Sequence, residues 1–193
     1  MIDDVVVVSD SNIFFDLLSS GLLNEFFRLP CKIATTDFVV DEIMDPDQKR
    51  SIDLFIRTKE LNVESFGPQE VLDIVSIFEK NSNNASITDC SVWYYAKKTN
   101  GRLLTGDAKL RRSAMKDNVK VSGFLYVLDN LVEYGLVDKK VCAERLEHLL
   151  EINKRLPKEE CVLRIKSWRS LQRQILFRVG FDDYERTTHW KKD

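Results

Sequence analysis

The chain has 193 residues, 44% hydrophobic and 31% charged, with 29 Lys+Arg against 31 Asp+Glu and a formal net charge of −2. That is enough apolar material for a sizeable core, arranged most simply as one domain plus an appendage, and the charge balance gives no global sign of a nucleic-acid binder. No apolar run approaches the roughly 20 residues that span a bilayer, and the N-terminus lacks the basic, apolar, small-residue pattern of a signal peptide. Cys31, Cys90, Cys142 and Cys161 are scattered. They show neither the C-x-x-C pairing of a zinc site nor the density of a disulfide scaffold, so thiols in a reducing cytoplasm, with no membrane association, are expected.

Taken in chain order, the β-branched run Val5–Val8 reads as a first buried strand and 32–36 (KIATT) as a second. Residues 61–66 (LNVESF) are a weaker candidate, and 102–105 (RLLT) and 119–121 (VKV) complete the set. Helical patterns lie between them: NIFFDLLSS, then SGLLNEFFRL after a break near Gly21, DFVVDEIM, a stretch from about Gln48 to Lys59, and PQEVLDIVSIFEKN with Pro68 near its first turn. SITDCSVWYYAKKTNG stops at Asn100-Gly101, and DAKLRRSAMKD and GFLYVLDNLVEYG close the series. Strands alternating with helices predict an α/β fold with a parallel sheet and right-handed crossovers. Residues 1–135 form the expected domain. Residues 136–193 form a helical C-terminal extension packed on it, with Val141, Leu146, Leu149 and Leu150 on one side of a first helix. Val162, Ile165, Trp168, Leu171 and Ile175 lie along a second, and the last residues are irregular.

Charge is unevenly spread. Residues 1–75 carry 15 Asp+Glu against 6 Lys+Arg, whereas residues 153–178 carry 8 basic and 2 acidic. Another 8 basic residues fall within 90–120, including Lys97, Lys98, Lys109, Arg111 and Arg112. Each basic stretch is equally well read as a solvated surface.

In an open α/β sheet, ligands bind beyond the carboxyl ends of the strands, near the point where strand order reverses. Four acids fall at such places. Asp10 follows the first strand, Glu42 lies in the helix after the second, Asp89 opens the helix before RLLT, and Asp107 follows RLLT through Thr105-Gly106. Each has a structural reading too. Asp10 and Asp107 could cap helices, Ser86-Ile-Thr-Asp89 fits a capping box, and Glu42 could be a solvated helix residue. Brought to one rim, however, the four would repel one another unless protonated or neutralised by a cation. Mg²⁺ and Mn²⁺ prefer such hard oxygen ligands, which points to metal-assisted phosphodiester hydrolysis. The only histidines, His148 and His189, lie in the appendage, so no Ser-His-Asp arrangement is credible.

The segments VVVVSDSNIFFDL, TTDFVVDEI and SITDCSVWYYAKKTNGRLLTGDAKLR, in that order over roughly residues 4–125, resemble a PIN domain, the family of metal-dependent ribonucleases that includes VapC-type toxins. The resemblance implies a three-layer α/β/α sandwich around a twisted parallel sheet. It implies Asp10, Asp89 and Asp107 as ligands of Mg²⁺ or Mn²⁺, direct or through water, with Glu42 holding a ligand water or a second metal. Asn12 and Thr105 would position the acids and waters, and Ser86 would cap the helix carrying Asp89. The substrate implied is single-stranded or looped RNA, with Lys109, Arg111 and Arg112 meeting phosphates and Lys97 and Lys98 as weaker candidates. Trp93, Tyr94 and Tyr95 are expected to pack rather than stack on bases. A VapC-type toxin would bring a small antitoxin protein as partner, and homodimers are common in the family. An RNA-processing nuclease without an antitoxin and a non-catalytic binding module stay open. A haloacid-dehalogenase-like phosphatase fits less well, because Asn12 stands where its second Asp belongs. So does a receiver domain, because Asp3-Asp4 lie at the wrong end of the first strand.

Overall fold

The computed structural model describes residues 4–8 and 11–170; Asp10, and Leu171 and Ile175 of the expected C-terminal stripe, lie outside the described residues. The chain divides into two compact units, 1–136 and 137–193. The first holds five strands, β1 (Val5–Val8), β2 (Lys32–Thr36), β3 (Leu61–Glu64), β4 (Arg102–Leu104) and β5 (Lys120–Ser122). They pair in the order β3-β2-β1-β4-β5, every pair parallel. Its helices are α1 (Ser11–Ser19), α2 (Leu23–Phe27), α3 (Asp37–Asp41), α4 (Pro46–Arg57), α5 (Pro68–Asn81), α6 (Ile87–Lys98), α7 (Ala108–Lys116) and α8 (Phe124–Glu133). This is the expected α/β sandwich, and the burial of its strands shows why. Ile33, Ala34, Thr35 and Thr36 are all buried, as are Leu103, Leu104 and Thr105. Consecutive strand residues point to opposite faces, so unbroken burial requires helices on both.

Three helices that return the chain to a strand end in the same way. After α6, Asn100 takes the left-handed conformation (φ 52°), its N–H donates to Lys97 O (3.2 Å), and Gly101 N–H reaches Ala96 O (2.9 Å). Lys59 after α4 and Asn118 after α7 repeat the pattern, with φ of 63° and 60°. Such a double bond satisfies carbonyls that the helix end would orphan and turns the chain sharply. Gly101 then meets β1 so closely that a Cβ would sit 3.0 Å from Val5 O. A side chain there would push α6 and β1 apart.

The end of α3 differs from expectation. The helix read from 37 to 44 stops at Asp41, with Glu42 as its C-cap, and Met44 is 85% exposed. Asp45 precedes Pro46, a position that disfavours helix, and takes extended backbone instead. Its carboxylate caps α4, accepting from Asp47 N (3.0 Å) and Gln48 N (2.9 Å).

The second unit, among its described residues, contains α9 (Lys139–Ile152) and a helix over 158–170. The buried stripe of α9 is Cys142, Ala143, Leu146 and Leu149, whereas Val141, expected on the apolar side, is 39% exposed and Leu150 half-buried. In the following helix Cys161, Ile165 and Trp168 are buried and Val162 half-buried. The two helices share an Arg169–Glu147 ion pair of 2.5 Å. No described helix is long and apolar enough to cross a membrane.

Leu103 is fully buried in the shortest internal strand. Replacing it by Ala should cost about 2–5 kcal/mol, the range for emptying a buried leucine site. Urea denaturation of the full chain, followed by circular dichroism, measures this directly.

Candidate functional site

The strand order places a reversal at β1. The chain moves from β1 outward to β2 and β3, then returns to the other side of β1 for β4 and β5. The crevice beyond the carboxyl ends of β1 and its neighbours is therefore the natural binding place of this fold. Val8 pairs in register with Leu104, and Val7 with Ala34, so β2 and β4 finish at nearly the same level on either side of β1. With neighbouring strands about 4.8 Å apart, the segments leaving β2 and β4 start about 10 Å from each other. Glu42 belongs to the first of these and Asp107 to the second.

Asp107 is exposed and caps α7, one carboxylate oxygen accepting from Lys109 N (2.6 Å) and Leu110 N (2.8 Å). Its own N–H donates to Thr105 Oγ1 at 3.0 Å. Thr105 is fully buried, so its hydroxyl shapes the backbone of the loop that presents Asp107. Asp89 is half-buried at the third position of α6. There it completes a capping box: Asp89 N–H donates to Ser86 Oγ (3.0 Å), while Asp89 Oδ2 accepts from Ser86 N (2.9 Å) and Ser86 Oγ (3.0 Å). The structural role read for each acid is thus real, and each cap stabilises its helix by about 1 kcal/mol.

Glu42 is held differently. Its Oε1 accepts a hydrogen bond from Thr88 Oγ1 at 2.6 Å. Thr88 is only 5% exposed and immediately precedes Asp89, so this bond ties the segment after β2 to the first turn of α6, beside Asp89. One turn deeper, Ser91 Oγ donates to Thr88 O (2.7 Å) and lies 2.8 Å from Thr36 Oγ1 at the end of β2. Ser91 has a single proton, already given to the carbonyl, so Thr36 is the donor to it. Thr36 occupies the N-cap position of α3 yet makes no side-chain cap bond. Its hydroxyl is given to Ser91 instead of to the helix.

Spacing alone does not reveal these hydroxyl contacts. Thr88 and Ser91 lie three residues apart within a helix whose Cys90, Val92, Trp93, Tyr95 and Ala96 are buried. Two small hydroxyls on the buried side of such a helix are the available signal.

Arg111 is half-buried. Its guanidinium approaches Thr105 O (3.4 Å) and lies so near Gly123 that a Cβ there would sit 2.7 Å from Nη2. Gly123 thus leaves room for a cation at the ends of β4 and β5. Lys109 and Arg112 are exposed, as is Asn12 near the start of α1. The weaker cation candidates are engaged elsewhere: Lys97 with Asp117 at 2.7 Å, and Lys98 with Glu64 (3.1 Å) and Glu70 (2.8 Å). The hydrogen bond from Lys98, then that from Gly67 N–H, lowers the Glu70 carboxyl. Trp93 and Tyr95 are buried, and Tyr94 meets Phe66 edge-on with ring centroids 5.7 Å apart. All three therefore pack. Cys90 beside Asp89 is fully buried, and that burial, with the Asp89 charge adding to it, pushes its thiol up to about 12.

The donors of Glu42, Asp89 and Asp107 are carboxylate oxygens, the chemistry a hard divalent cation prefers. Among the described residues, no three acids, histidines or cysteines gather closely enough to hold one ion. Asp10 follows β1 in sequence and lies outside those residues.

The family model DUF3368, described as a PIN domain, matches residues 6–170. The chain belongs to the PIN-domain family. The match runs through α9 and the helix that follows, so these helices fall within the family's own extent. Among solved structures, PAE2754 from Pyrobaculum aerophilum is similar, with TM-score 0.50, 14% identity, and coverage of 69% of this chain and 99% of that one. At that identity the likeness is one of fold alone. VapBC2 from Rickettsia felis, bound to a DNA fragment from their promoter, gives a TM-score of 0.44 at 16% identity, over 62% of this chain and 98% of its own. FitAcB from Neisseria gonorrhoeae gives 0.38 at 11%, over 60% and 95%. No curated protein matches the chain by sequence.

The cap geometry of this PIN domain makes a prediction about stability. Asp107→Ala should destabilise the protein by about 1 kcal/mol. Asp107→Asn, which keeps an accepting oxygen for Lys109 N and Leu110 N, should stay within about 0.5 kcal/mol of wild type. Chemical denaturation of the three proteins side by side distinguishes the two substitutions.

Proposed function

We propose that this PIN domain is a divalent-metal-dependent endoribonuclease that hydrolyses phosphodiester bonds in single-stranded or looped RNA. The observation that carries the reading is the 2.6 Å bond that Thr88, the residue before Asp89 in the first turn of α6, donates to Glu42. Asp107 rises from the far side of β1. Asp10, Glu42, Asp89 and Asp107 are the proposed holders of Mg²⁺ or Mn²⁺, with Asn12 and Thr105 positioning the acids and waters. Bound there, the ion would polarise the phosphodiester and lower the pKa of an attacking water.

The chain's own residues have distinct tasks in this scheme. One oxygen of Asp107 and one of Asp89 fasten their helices, orienting the rest of each carboxylate without further loss of side-chain freedom. Lys109 in the first turn of α7 and Arg112 one turn further are exposed and would meet phosphates flanking the cut. The Arg111 guanidinium, more fixed beside Thr105 O and Gly123, would hold one phosphate in a set direction. Such contacts position the strand and set affinity more than sequence preference. A cation held there would offset the negative rim, which by itself would repel RNA.

The resemblance to VapC-type toxins extends the proposal to a toxin–antitoxin pair. Its partner would be a small antitoxin protein, its assembly a homodimer and its compartment the cytoplasm. A PIN nuclease that processes RNA without an antitoxin uses the same residues. One observation favours a different reading, a binding module that keeps the acids for structure: Asp89 and Asp107 both serve as helix caps.

Incubating total RNA with the full chain, with and without Mn²⁺, separates the nuclease from the binding module. Wild type should cleave only with the metal. Asp10→Asn, Glu42→Gln and Asp107→Asn should each lower the rate by at least about 100-fold, the upper end of what removing a hydrogen-bond partner of a metal ligand costs. Folded variants that keep full metal-dependent cleavage would refute the assignment. Separately, Lys109→Gln combined with Arg112→Gln should reduce the salt slope of RNA binding by about 1.4, or about 0.7 for each single-strand phosphate that is no longer neutralised. Fluorescence anisotropy over a salt series measures that slope.

A further inference from the structure

We infer that Thr88 is a positioning residue for the acidic rim, acting through Glu42, and that Thr36 and Ser91 form the buried hydroxyl chain that holds Thr88 in place. The inference rests on the nuclease reading above and adds to it three residues that the acid pattern does not contain.

Glu42 needs such a support. It stands at the C-cap of α3, a helix of five residues, and is itself exposed. A glutamate there has three freely rotating side-chain bonds, and an ion-binding carboxylate must be held to a fraction of an ångström. The Thr88 hydroxyl supplies the constraint at 2.6 Å by donating to Oε1. Thr88 sits in the first turn of α6, where unsatisfied N–H groups also favour negative charge, so the same turn steadies Glu42 and Asp89 together.

Thr88 is in turn held from behind. Thr36 Oγ1 donates to Ser91 Oγ, and Ser91 donates to the Thr88 carbonyl. Thr36 and Ser91 are fully buried, so these bonds face no competition from water. Two independent features argue for more than filling of the core. Thr36 forgoes the cap bond that its position at the start of α3 offers. The chain also spans three elements, the end of β2, the first two turns of α6 and the end of α3, and terminates on a solvent-exposed carboxylate. A network serving only to pack the core would have no need to end at the rim.

The test compares Thr88→Val, isosteric but without the hydroxyl, with Thr88→Ser, which keeps it. Mn²⁺ binding to the full chain is measured by calorimetry and by the decrease of the free-ion paramagnetic resonance signal, alongside cleavage of RNA. Thr88→Val should bind Mn²⁺ about 10- to 100-fold more weakly, as expected when a metal ligand is deprived of its hydrogen-bond partner, and Thr88→Ser should recover most of the affinity. In a Glu42→Gln background the additional effect of Thr88→Val should vanish, because its target is already gone. If Thr88→Val does not fold, Thr36→Val carries the same test. It breaks the chain two links back without removing a cap bond, and should cause a smaller loss that Thr36→Ser reverses. Wild-type affinity in Thr88→Val, or a loss that persists undiminished in the Glu42→Gln background, overturns the role of Thr88 while leaving the nuclease reading standing. A wild type that neither binds Mn²⁺ nor cleaves RNA overturns both.

Discussion

The pairing of β1 with both β2 and β4 is the constraint on which the rest of the molecule depends. A strand paired on both edges, between neighbours that are themselves buried on both faces, is locked in register, because a slip of one residue would turn every side chain to the wrong layer. Its parallel neighbours then end level with it, and the segments leaving them open onto the same rim. Segments separated by dozens of residues, one carrying Glu42 and the other Asp107, thus leave the sheet on either side of β1. The helix ends reinforce the arrangement: α4, α6 and α7 each finish on a left-handed residue that returns the chain promptly to its next strand. Little slack remains between sheet and rim.

At that rim the acids have a structural task and, in the proposed nuclease, a second one as metal ligands. Asp107 and Asp89 each use a carboxylate oxygen to satisfy helix N–H groups, which would otherwise be orphaned. A cap and a ligand are compatible roles, because a carboxylate has two oxygens and roughly four lone-pair directions. The cap fixes the orientation that a ligand needs, and the positive end of the helix complements the carboxylate beside it. Glu42 lacks a helix start of its own and borrows one, through Thr88, from α6. The three acids therefore reach similar order by different means: two are anchored by the backbone that follows them, and one by a side chain from another element.

Much of the architecture is legible in the sequence because its signals are local. The run of valines at 5–8, the 14-residue helix with Pro68 near its start and the Asn100-Gly101 stop all act over a few residues, and all appear where expected. The departures are also local in origin. The hydrophobic pattern after β2 continues to Met44, but Pro46 forces Asp45 out of helical geometry and the helix ends sooner. On α9, the pattern assigns Val141 to the apolar side where Cys142 and Ala143 are the buried residues, since a small shift in helical phase exchanges neighbours on the boundary of a stripe. Arg111 is visible in sequence as a cation after β4, but only its packing against Thr105 O and Gly123 shows that it is held in place.

By itself the sequence determined the alternation of strands and helices, the caps at Ser86 and Asp107, and the membership of four acids in one recognisable order. Those features depend on hydrogen bonds and burial patterns that close within one or two turns of chain. Only the tertiary structure decided which strands lie beside β1, and that Glu42 meets Thr88 across a separation of 46 residues. It alone showed Thr36 yielding its capping bond to Ser91. A hydroxyl carries no periodicity and no charge to announce its partner. Which acceptor it finds is settled when the sheet and helices close around it, where an unpaired polar group would be costly and the nearest oxygen becomes the one that counts.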